Sequence, residues 1–138
     1  METREIARGL VIRPDASVLL FTLEDGTLAL PGGRVEPGET HEEALARELH
    51  EEIGLQRASI GPLVWMREHV YERNGRPTLF RERHFLVEVD ANCPNGPGRF
   101  VDIAERAGAH RFAPPQLPLL LEQLRIGGPP AVPVRIKG

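Results

Sequence analysis

The chain has 138 residues, 17 of them basic and 20 acidic, and a formal net charge of −3. This length fits one domain that buries about 65–70% of its unfolded surface. Hydrophobic residues make up 41%, which excludes a disordered composition, and the mild acidity argues against general binding to a nucleic-acid backbone. The lone Cys93 excludes an internal disulfide and a zinc cluster made of cysteines alone.

The expected location follows from the same simple features. No apolar run approaches the ~20 residues that a membrane helix needs. The start, METREIARGL, lacks the apolar region of a secretory signal, and a single cysteine favours a reducing compartment. We therefore expect a cytoplasmic protein without a membrane partner.

The first part of the chain predicts three strands, over residues 5–13, 18–23 and 28–30. Asp25-Gly26 supplies a tight turn between the second and third. Pro31-Gly32-Gly33 ends the third strand, and Pro37-Gly38 gives another turn signal.

Residues 40–53 predict the clearest helix. Thr40 with Glu43 has the pattern of a capping box. An apolar stripe recurs at helical spacing in Ala44, Leu45, Leu49 and Ile53. Gly54 suits the left-handed position that ends a helix.

The second half predicts a long hairpin and a last helix. Strands at 63–72 and 77–89 flank Asn74-Gly75, the favoured pair of a type I′ turn. A loop at 91–98 follows, and the last helix is expected over 115–126 with Gly127 as its stop. We predict one domain over 1–126 and a Gly/Pro-rich tail over 127–138, either loose or an edge segment. The order of elements favours an α+β or α/β sandwich.

The acidic residues are unevenly spread, with seven of the 20 between positions 36 and 52: Glu36, Glu39, Glu42, Glu43, Glu48, Glu51 and Glu52. The spacing of Glu48, Glu51 and Glu52 places all three on one face of the helix, where their charges repel. Hard cations such as Mg²⁺ or Mn²⁺ prefer these oxygen ligands and leave room for water and substrate phosphate. The pattern therefore indicates metal-assisted phosphate chemistry, and a solvated acidic helix face is the alternative interpretation.

Residues 33–55, GRVEPGETHEEALARELHEEIGL, resemble the Nudix box, Gly-x5-Glu-x7-Arg-Glu-U-x-Glu-Glu-x-Gly-U with U aliphatic. All its fixed positions match: Gly33, Glu39, Arg47, Glu48, Leu49, Glu51, Glu52, Gly54 and Leu55. The resemblance implies an α/β/α sandwich with a mixed sheet, in which the box forms a loop, a helix and a second loop. It also implies a pyrophosphohydrolase that uses Mg²⁺ or Mn²⁺ and water attack at phosphorus.

The resemblance also implies roles for individual residues. Glu48, Glu51, Glu52 and the backbone carbonyl of Gly32 would be metal ligands, and Arg47 would orient the carboxylates. Glu39 would be the partner of Arg47 or an extra ligand. The catalytic base would be Glu48, Glu52 or an acid outside the box, of which we name, in order, Glu105, Asp102 and Glu88; an ordinary surface acid is the alternative for each of the last three.

Substrate contacts are expected mainly from arginines outside the metal site. Arg81 and Arg83 alternate on one predicted strand, and Arg67, His69 and Tyr71 alternate on its neighbour. Arginines on these faces, and Arg34 beside the box, could grip phosphates through forked hydrogen bonds. The alternative is cross-strand pairing with Glu68, Glu72 or Glu82. We expect Trp65 in the core, and Phe112 either stacks on a base or anchors the last helix.

These observations predict a hydrolase that cleaves the pyrophosphate linkage of a nucleoside diphosphate joined to another group. The competing hypothesis is a non-catalytic Nudix-like module that binds or senses nucleotides. A third hypothesis is a prenyl diphosphate isomerase of similar fold, which needs acid and base residues around a cysteine. Cys93 is a poor candidate for that cysteine because it lies in a Gly/Pro loop. The expected partner is a small nucleotide pyrophosphate, and the resemblance leaves a homodimer open.

Overall fold

The computed structural model describes residues 1–106, 108 and 110–137, although not the side chains of Arg73, Glu105 and Arg106. Within this part of the chain, nine strands and three helices follow one another as β1 (Glu2–Ile12), β2 (Val18–Thr22), β3 (Leu28–Ala29), β4 (Gly32–Arg34), α1 (His41–Ile53), β5 (Leu63–Arg73), β6 (Arg76–Glu88), β7 (Arg99–Val101), α2 (Ile103–Arg106), β8 (Phe112–Ala113), α3 (Leu117–Gly127) and β9 (Val134–Lys137).

The strands form one mixed sheet, in the order β8-β3-β2-β1-β6-β5-β9, while β4 pairs with β1 and β7 pairs with β2. Neighbours along this path are antiparallel except in three pairs. The pairs β1–β6, β3–β8 and β5–β9 are parallel. The long strands β1, β5 and β6 therefore form the centre of the sheet on which the two longer helices pack.

The core lies on both faces of this sheet. On β1, Val11 packs into the cluster that contains Leu45 and Leu49 of α1, whereas Leu10 packs into the cluster that contains Leu117 and Leu120 of α3. Successive side chains of a strand point to opposite faces, so α1 and α3 cover opposite sides of the sheet. The expected α/β/α sandwich with a mixed sheet is confirmed.

Helix α1 begins and ends where local chemistry predicts. The Thr40 side chain accepts a hydrogen bond from the Glu43 N–H, and the Glu43 side chain accepts one from the Thr40 N–H. Gly54 closes the helix at φ 76° in the left-handed region and donates its N–H to the His50 carbonyl. These caps satisfy backbone groups that would otherwise lack partners, so they fix the helix that carries the acidic residues.

Thr40→Ala is expected to lower the free energy of unfolding by about 1 kcal/mol, because it removes the hydroxyl that caps α1. Thr40→Ser keeps a hydroxyl at the same place and should stay close to the parent protein. Urea denaturation at neutral pH measures both variants. Equal stability of the two variants would contradict a stabilising role for the cap.

The hairpin of β5 and β6 also forms as predicted. Asn74 and Gly75 have φ angles of 53° and 75°, the two positive values that a type I′ turn requires. The strands extend to Arg73 and begin again at Arg76, slightly beyond the predicted ends at 72 and 77.

The structure corrects several local expectations. The last helix covers Leu117–Gly127 rather than 115–126, and Gly128, not Gly127, caps it. Pro31-Gly32-Gly33 was expected as a break, but Gly32–Arg34 pairs with β1 as strand β4. Strands β7 and β8 and helix α2 were not predicted; each has at most four residues, too few for a clear pattern.

The segment after α3 contains strand β9, which lies at an edge of the sheet and runs parallel to β5. Its Ile136 side chain is buried against the core. The domain division at residue 126 stays a prediction.

Trp65 and Phe112, two aromatic side chains named in the sequence analysis, lie in the core. Trp65 is 2% exposed and Phe112 is 6% exposed, and both belong to the cluster beneath α3. Phe112 therefore anchors the region of α3, and its alternative as a stacking platform does not apply. Cys93 is buried in the opposite cluster. None of the described helices is long and apolar enough to span a membrane.

Candidate active site

Arg47 organises the acidic residues at the start of the site. Its Nε and Nη2 donate to the two carboxylate oxygens of Glu39 at 2.8 and 3.0 Å, as a fork. Its Nη1 lies 3.0 Å from a Glu48 oxygen and 3.4 Å from a Glu51 oxygen. The hydrogen bond to Glu39 is the main cause that raises the pKa of Arg47 above its usual range, and it also lowers the pKa of Glu39.

Arg47 also ties the helix to the strand in front of it. Its Nη2 donates to the backbone carbonyl of Arg34 at 3.1 Å. The neighbouring Gly33 allows a close approach, because a Cβ atom there would lie 2.5 Å from the Glu48 carboxyl carbon. Glycine at position 33 is thus what leaves space for the Glu48 carboxylate.

Glu52 lies where the helix meets the loop before β4. Its Oε1 accepts a hydrogen bond of 3.1 Å from the Gly32 N–H. Burial, the main cause, raises the pKa of Glu52 to about 7, and the negative charges of Glu48 and Glu51 act in the same direction. The Gly32 N–H and Arg8 oppose this shift without cancelling it. Glu52 is therefore a carboxyl group that gains or loses a proton near neutral pH.

The donors of this site fit a hard divalent cation. Among the described residues, no group of three or more Asp, Glu, His or Cys side chains is already arranged so that it could hold a metal ion. Arg47 holds Glu48 and Glu51, and the Gly32 N–H holds Glu52, so their positions reflect these competing partners. Burial is the main cause of the raised pKa of Glu52, and the charges of Glu48 and Glu51 add to it, so a bound cation would stabilise the ionised carboxylate. Carboxylate oxygens are also the ligands that Mg²⁺ and Mn²⁺ prefer.

A cavity of about 570 Å³ opens beside Gly32 and Glu52. Its lining includes Arg67 and Tyr71, two of the residues predicted to contact substrate. The alternation of Arg67, His69 and Tyr71 along β5 was the signal that placed them on one face, and all three line this cavity.

The other predicted substrate residues lie elsewhere. The Nε of Arg81 is 3.7 Å from a Glu5 oxygen and 4.0 Å from a Glu68 oxygen, on the sheet face opposite Arg67. Arg83 lies near His41 and, after burial, is the next cause that lowers the pKa of that histidine. The exposed Arg34 ends strand β4. Their roles toward substrate stay predictions.

The candidate bases outside the box do not gather at Glu52 in the described part of the chain. Glu88 and Asp102 line a separate cavity of about 620 Å³ beside α3. Asp102 also accepts a hydrogen bond from the Ala104 N–H at 3.1 Å. Glu105 lies in α2, but its side chain is outside the described residues.

A buried group of charges lies in the cavity beside Glu52, and it includes the cross-strand pair of Arg67 and Glu82 that was the alternative interpretation of the predicted substrate arginines; its burial and its histidines were not expected. The carboxylate of Glu82 is 6% exposed and accepts hydrogen bonds from His69 Nε2 at 2.8 Å and His84 Nε2 at 3.0 Å. The guanidinium groups of Arg8 and Arg67 each lie 3.9 Å from it. Glu82 and His84 stand at alternate positions in the polar run Arg81-Glu82-Arg83-His84 of β6, so they share one face of the strand, and that was the available signal.

Two buried groups should each lower the free energy of unfolding as the pH falls, His84 below about 6.5 and Glu82 below about 4.3, the usual values of histidine and glutamate, whereas Glu52, with its raised pKa, acts in the opposite direction between about pH 7 and 4.5. Burial would raise the pKa of Glu82, but the hydrogen bond from His84 and the charge of Arg8 hold it well below its usual range. Burial lowers the pKa of His84. Both groups bind fewer protons in the native than in the unfolded state, so their stabilising effect is lost on acidification.

Urea denaturation from pH 8 to pH 2 measures these changes. Below about pH 4.3, Glu82→Gln should show a shallower decline than the parent protein, and at pH 8 it should already be less stable by about 2 kcal/mol, since two histidine donors lose a charged acceptor. Glu72→Gln changes an exposed carboxylate on β5 and should follow the parent curve. Parallel curves for Glu82→Gln and the parent protein would show that Glu82 carries no acid sensitivity.

Comparisons with known proteins agree with this geometry. The family model described as the NUDIX domain matches residues 3–132. A putative 8-oxo-dGTP diphosphatase of Bacillus subtilis (strain 168) is 34% identical over 113 residues, 81% of this chain and 68% of that protein. An RNA pyrophosphohydrolase of Pseudomonas fluorescens (strain SBW25) is 34% identical over 96 residues, 61% of this chain and 60% of that protein. The match with the RNA pyrophosphohydrolase thus spans about three fifths of the length of that protein.

Solved structures show the same fold. The Escherichia coli ORF135 protein has a TM-score of 0.66 and 26% identity, with 96% of both chains covered. The Caenorhabditis elegans Ap4A hydrolase has a TM-score of 0.65 at 19% identity, with 90% of this chain and 97% of that chain covered, and this likeness shows the fold alone. With its complete box, its fold and these relatives, the chain belongs to the Nudix family and is one of its pyrophosphohydrolases.

Proposed function

We propose that the chain uses Mg²⁺ or Mn²⁺ to cleave the pyrophosphate linkage of a nucleoside diphosphate joined to another moiety, by water attack at phosphorus. One observation carries the proposal. Glu52 both belongs to the acidic group of α1 and lines the cavity of about 570 Å³. Carboxylates suited to a cation therefore lie next to a space large enough for part of a nucleotide.

The cation would be held by Glu48, Glu51, Glu52 and the carbonyl of Gly32. When bound, such an ion supplies polarisation of phosphoryl oxygens, a lowered pKa for water, and a clamp on the attacking and leaving oxygens. Arg47 orients the carboxylates, since it contacts Glu48 and Glu51 and is itself held by the fork to Glu39.

Glu52 or Glu48 takes the proton from the attacking water. Without a cation, burial raises the pKa of Glu52 to about 7, and a ligated cation would lower it again, so the choice between Glu52 and Glu48 depends on which of them the cation leaves free to accept a proton. The Gly32 N–H keeps one oxygen of Glu52 in place, which leaves its second oxygen for the reaction.

The cavity supports a nucleotide as the group that is recognised. Phe21, Phe80 and Tyr71 contribute aromatic surface to it, and Arg8 and Arg67 contribute positive charge. The two relatives that match in sequence are named for 8-oxo-dGTP and for RNA, and both compounds contain nucleotides.

One experiment tests the proposal directly. The purified chain is incubated with nucleoside triphosphates, nucleotide sugars and dinucleoside polyphosphates in water enriched in heavy oxygen, and mass spectrometry identifies both products. We expect a nucleoside monophosphate as one product, label in one of the two, and no turnover once a chelator removes divalent ions. Tight nucleotide binding without product would instead establish the non-catalytic binding or sensing module.

Three further points belong to the proposal. A homodimer, a cytoplasmic location and the lack of general nucleic-acid binding stay predictions. Sedimentation at micromolar concentration, fractionation of cells, and titration with a random-sequence duplex measure them in turn.

A further inference from the structure

The floor of the cavity beside Glu52 is built by three neighbouring strands. Arg8 of β1 is paired with His84 of β6, and Arg67 of β5 is paired with Glu82 of β6. Side chains of directly paired residues lie on the same face of a sheet. The two arginines and Glu82 therefore meet on one surface, which forms the charged end of the cavity.

The carboxylate on this surface is already engaged. One oxygen of Glu82 accepts from His84 and the other from His69, and the side chain is 6% exposed. The carboxylate only accepts, so each Nε2 carries the hydrogen, and the histidines offer the cavity no further N–H while they are neutral. A ligand group that must donate hydrogen bonds finds no free oxygen on Glu82.

Arg8 and Arg67, unlike Glu82, are not engaged in hydrogen bonds with described residues. Each lies 3.9 Å from Glu82, which is too long for a hydrogen bond, and neither donates a hydrogen bond to another described residue. The side chain of Arg67 is 13% exposed, and its Nε is buried without a partner in the described part of the chain. A buried donor without an acceptor is costly, so Arg67 favours a ligand group that accepts hydrogen bonds, while the buried Nδ1 of His84 is an acceptor without a partner among the described residues.

The walls of the cavity favour a flat ring over a hydrated anion. The rings of His69 and Phe80 stack at 5.4 Å with 15° between their planes, and Tyr71 meets Phe80 edge-on at 5.9 Å. Phe21 and Leu23 line the same cavity. Aromatic and apolar walls of this kind bind nucleobases by stacking.

We propose that Arg8 and Arg67 select 6-oxopurine nucleotides over 6-aminopurine nucleotides. Guanine and hypoxanthine present two adjacent acceptors, O6 and N7, which match the fork of a guanidinium. Adenine presents an amino group in place of O6, and its N–H groups would face arginine donors. This inference rests on the proposed function, because it assigns the nucleoside that occupies the same site.

Turnover by the parent protein tests the inference first. The kcat/KM values for GTP and ITP should exceed that for ATP about tenfold or more, while 7-deaza-GTP, which lacks the N7 acceptor, should lose much of this advantage. Values for GTP and ATP within twofold of each other would overturn the inference. Lack of turnover for every nucleotide would refute the proposed function instead. Calorimetry with GMP and AMP then measures the base preference without turnover. We expect tighter binding of GMP, and equal binding of the two nucleotides would contradict the inference.

Variants locate the preference on Arg67. In folded Arg67→Met, the KM for GTP should rise toward that for ATP with little change in kcat, whereas Arg67→Lys should recover charge but not the preference. Arg99→Met alters an exposed arginine on β7 and should behave as the parent protein. A preference for GTP that persists in Arg67→Met would be contrary to the assignment.

Inorganic tripolyphosphate separates base recognition from phosphate recognition. It carries the phosphates without a base, so it should inhibit the parent protein and Arg67→Met equally. A weaker inhibition of Arg67→Met would show that Arg67 grips phosphate, and the assignment to the base would be wrong.

Discussion

Glu52→Gln is expected to lower kcat by about 10²–10⁴-fold while the protein keeps its fold. Glutamine has the same shape and can still accept the hydrogen bond from the Gly32 N–H. It can neither take a proton from water nor offer a charged ligand to a cation. Single-turnover hydrolysis of the best substrate in Mg²⁺ measures this loss.

The stability of Glu52→Gln distinguishes lost chemistry from lost folding. Burial and the negative neighbours raise the pKa of Glu52 to about 7, above its ordinary value of 4.5, so above that pH the native state holds an unfavourable charge. The neutral glutamine removes this charge, and at pH 8 without divalent ions the Tm should stay equal or rise. Mg²⁺ should raise the Tm of the parent protein more than that of the variant.

A control on the same helix completes the test. Glu42→Gln alters an exposed carboxylate in the first turn of α1 and should leave kcat unchanged. Full activity in Glu52→Gln, or an equal loss in Glu42→Gln, would contradict the assigned role of Glu52.

Elements with local signals were predictable from the sequence. Helix α1 starts after Thr40 and ends before Gly54 because both caps use residues within one turn of its ends. The β5–β6 hairpin follows from Asn74-Gly75 in the same way, since this pair adopts the two positive φ angles of the turn. The charge cluster on α1 follows from helical spacing alone.

Elements that depend on distant partners were not predictable. Strand β4 contains two glycines and reads as a break, and it exists because Ala7 of β1 pairs with Gly33. The alternation in β5 and in β6 shows which arginines of one strand share a face, but not how the faces of two strands combine. The register that pairs Arg67 with Glu82 places Arg67 in the cavity and Arg81 on the other side of the sheet.

Gly33→Ala is expected to lower kcat about 10²-fold with a small change in stability. The new Cβ atom would lie 2.5 Å from the carboxyl carbon of Glu48, closer than real atoms approach, so that carboxylate must move. Glu48 is the end of a flexible side chain, and its displacement costs little folding energy. A shift of about 1 Å in a reacting or ligating group is nonetheless sufficient for a loss of this size.

The measurement compares kcat and Tm of Gly33→Ala with those of Gly127→Ala, where a Cβ atom meets nothing within 4 Å. The control should keep full activity, and its Tm should not fall, because alanine favours a helical position over glycine. Glu48 also contacts Arg47, so displacement of the Glu48 carboxylate should weaken the ion pair through which Arg47 positions the acidic residues. If Gly33→Ala kept its kcat, the Glu48 carboxylate would not need its place beside β4, and its role as a ligand or base would be ruled out.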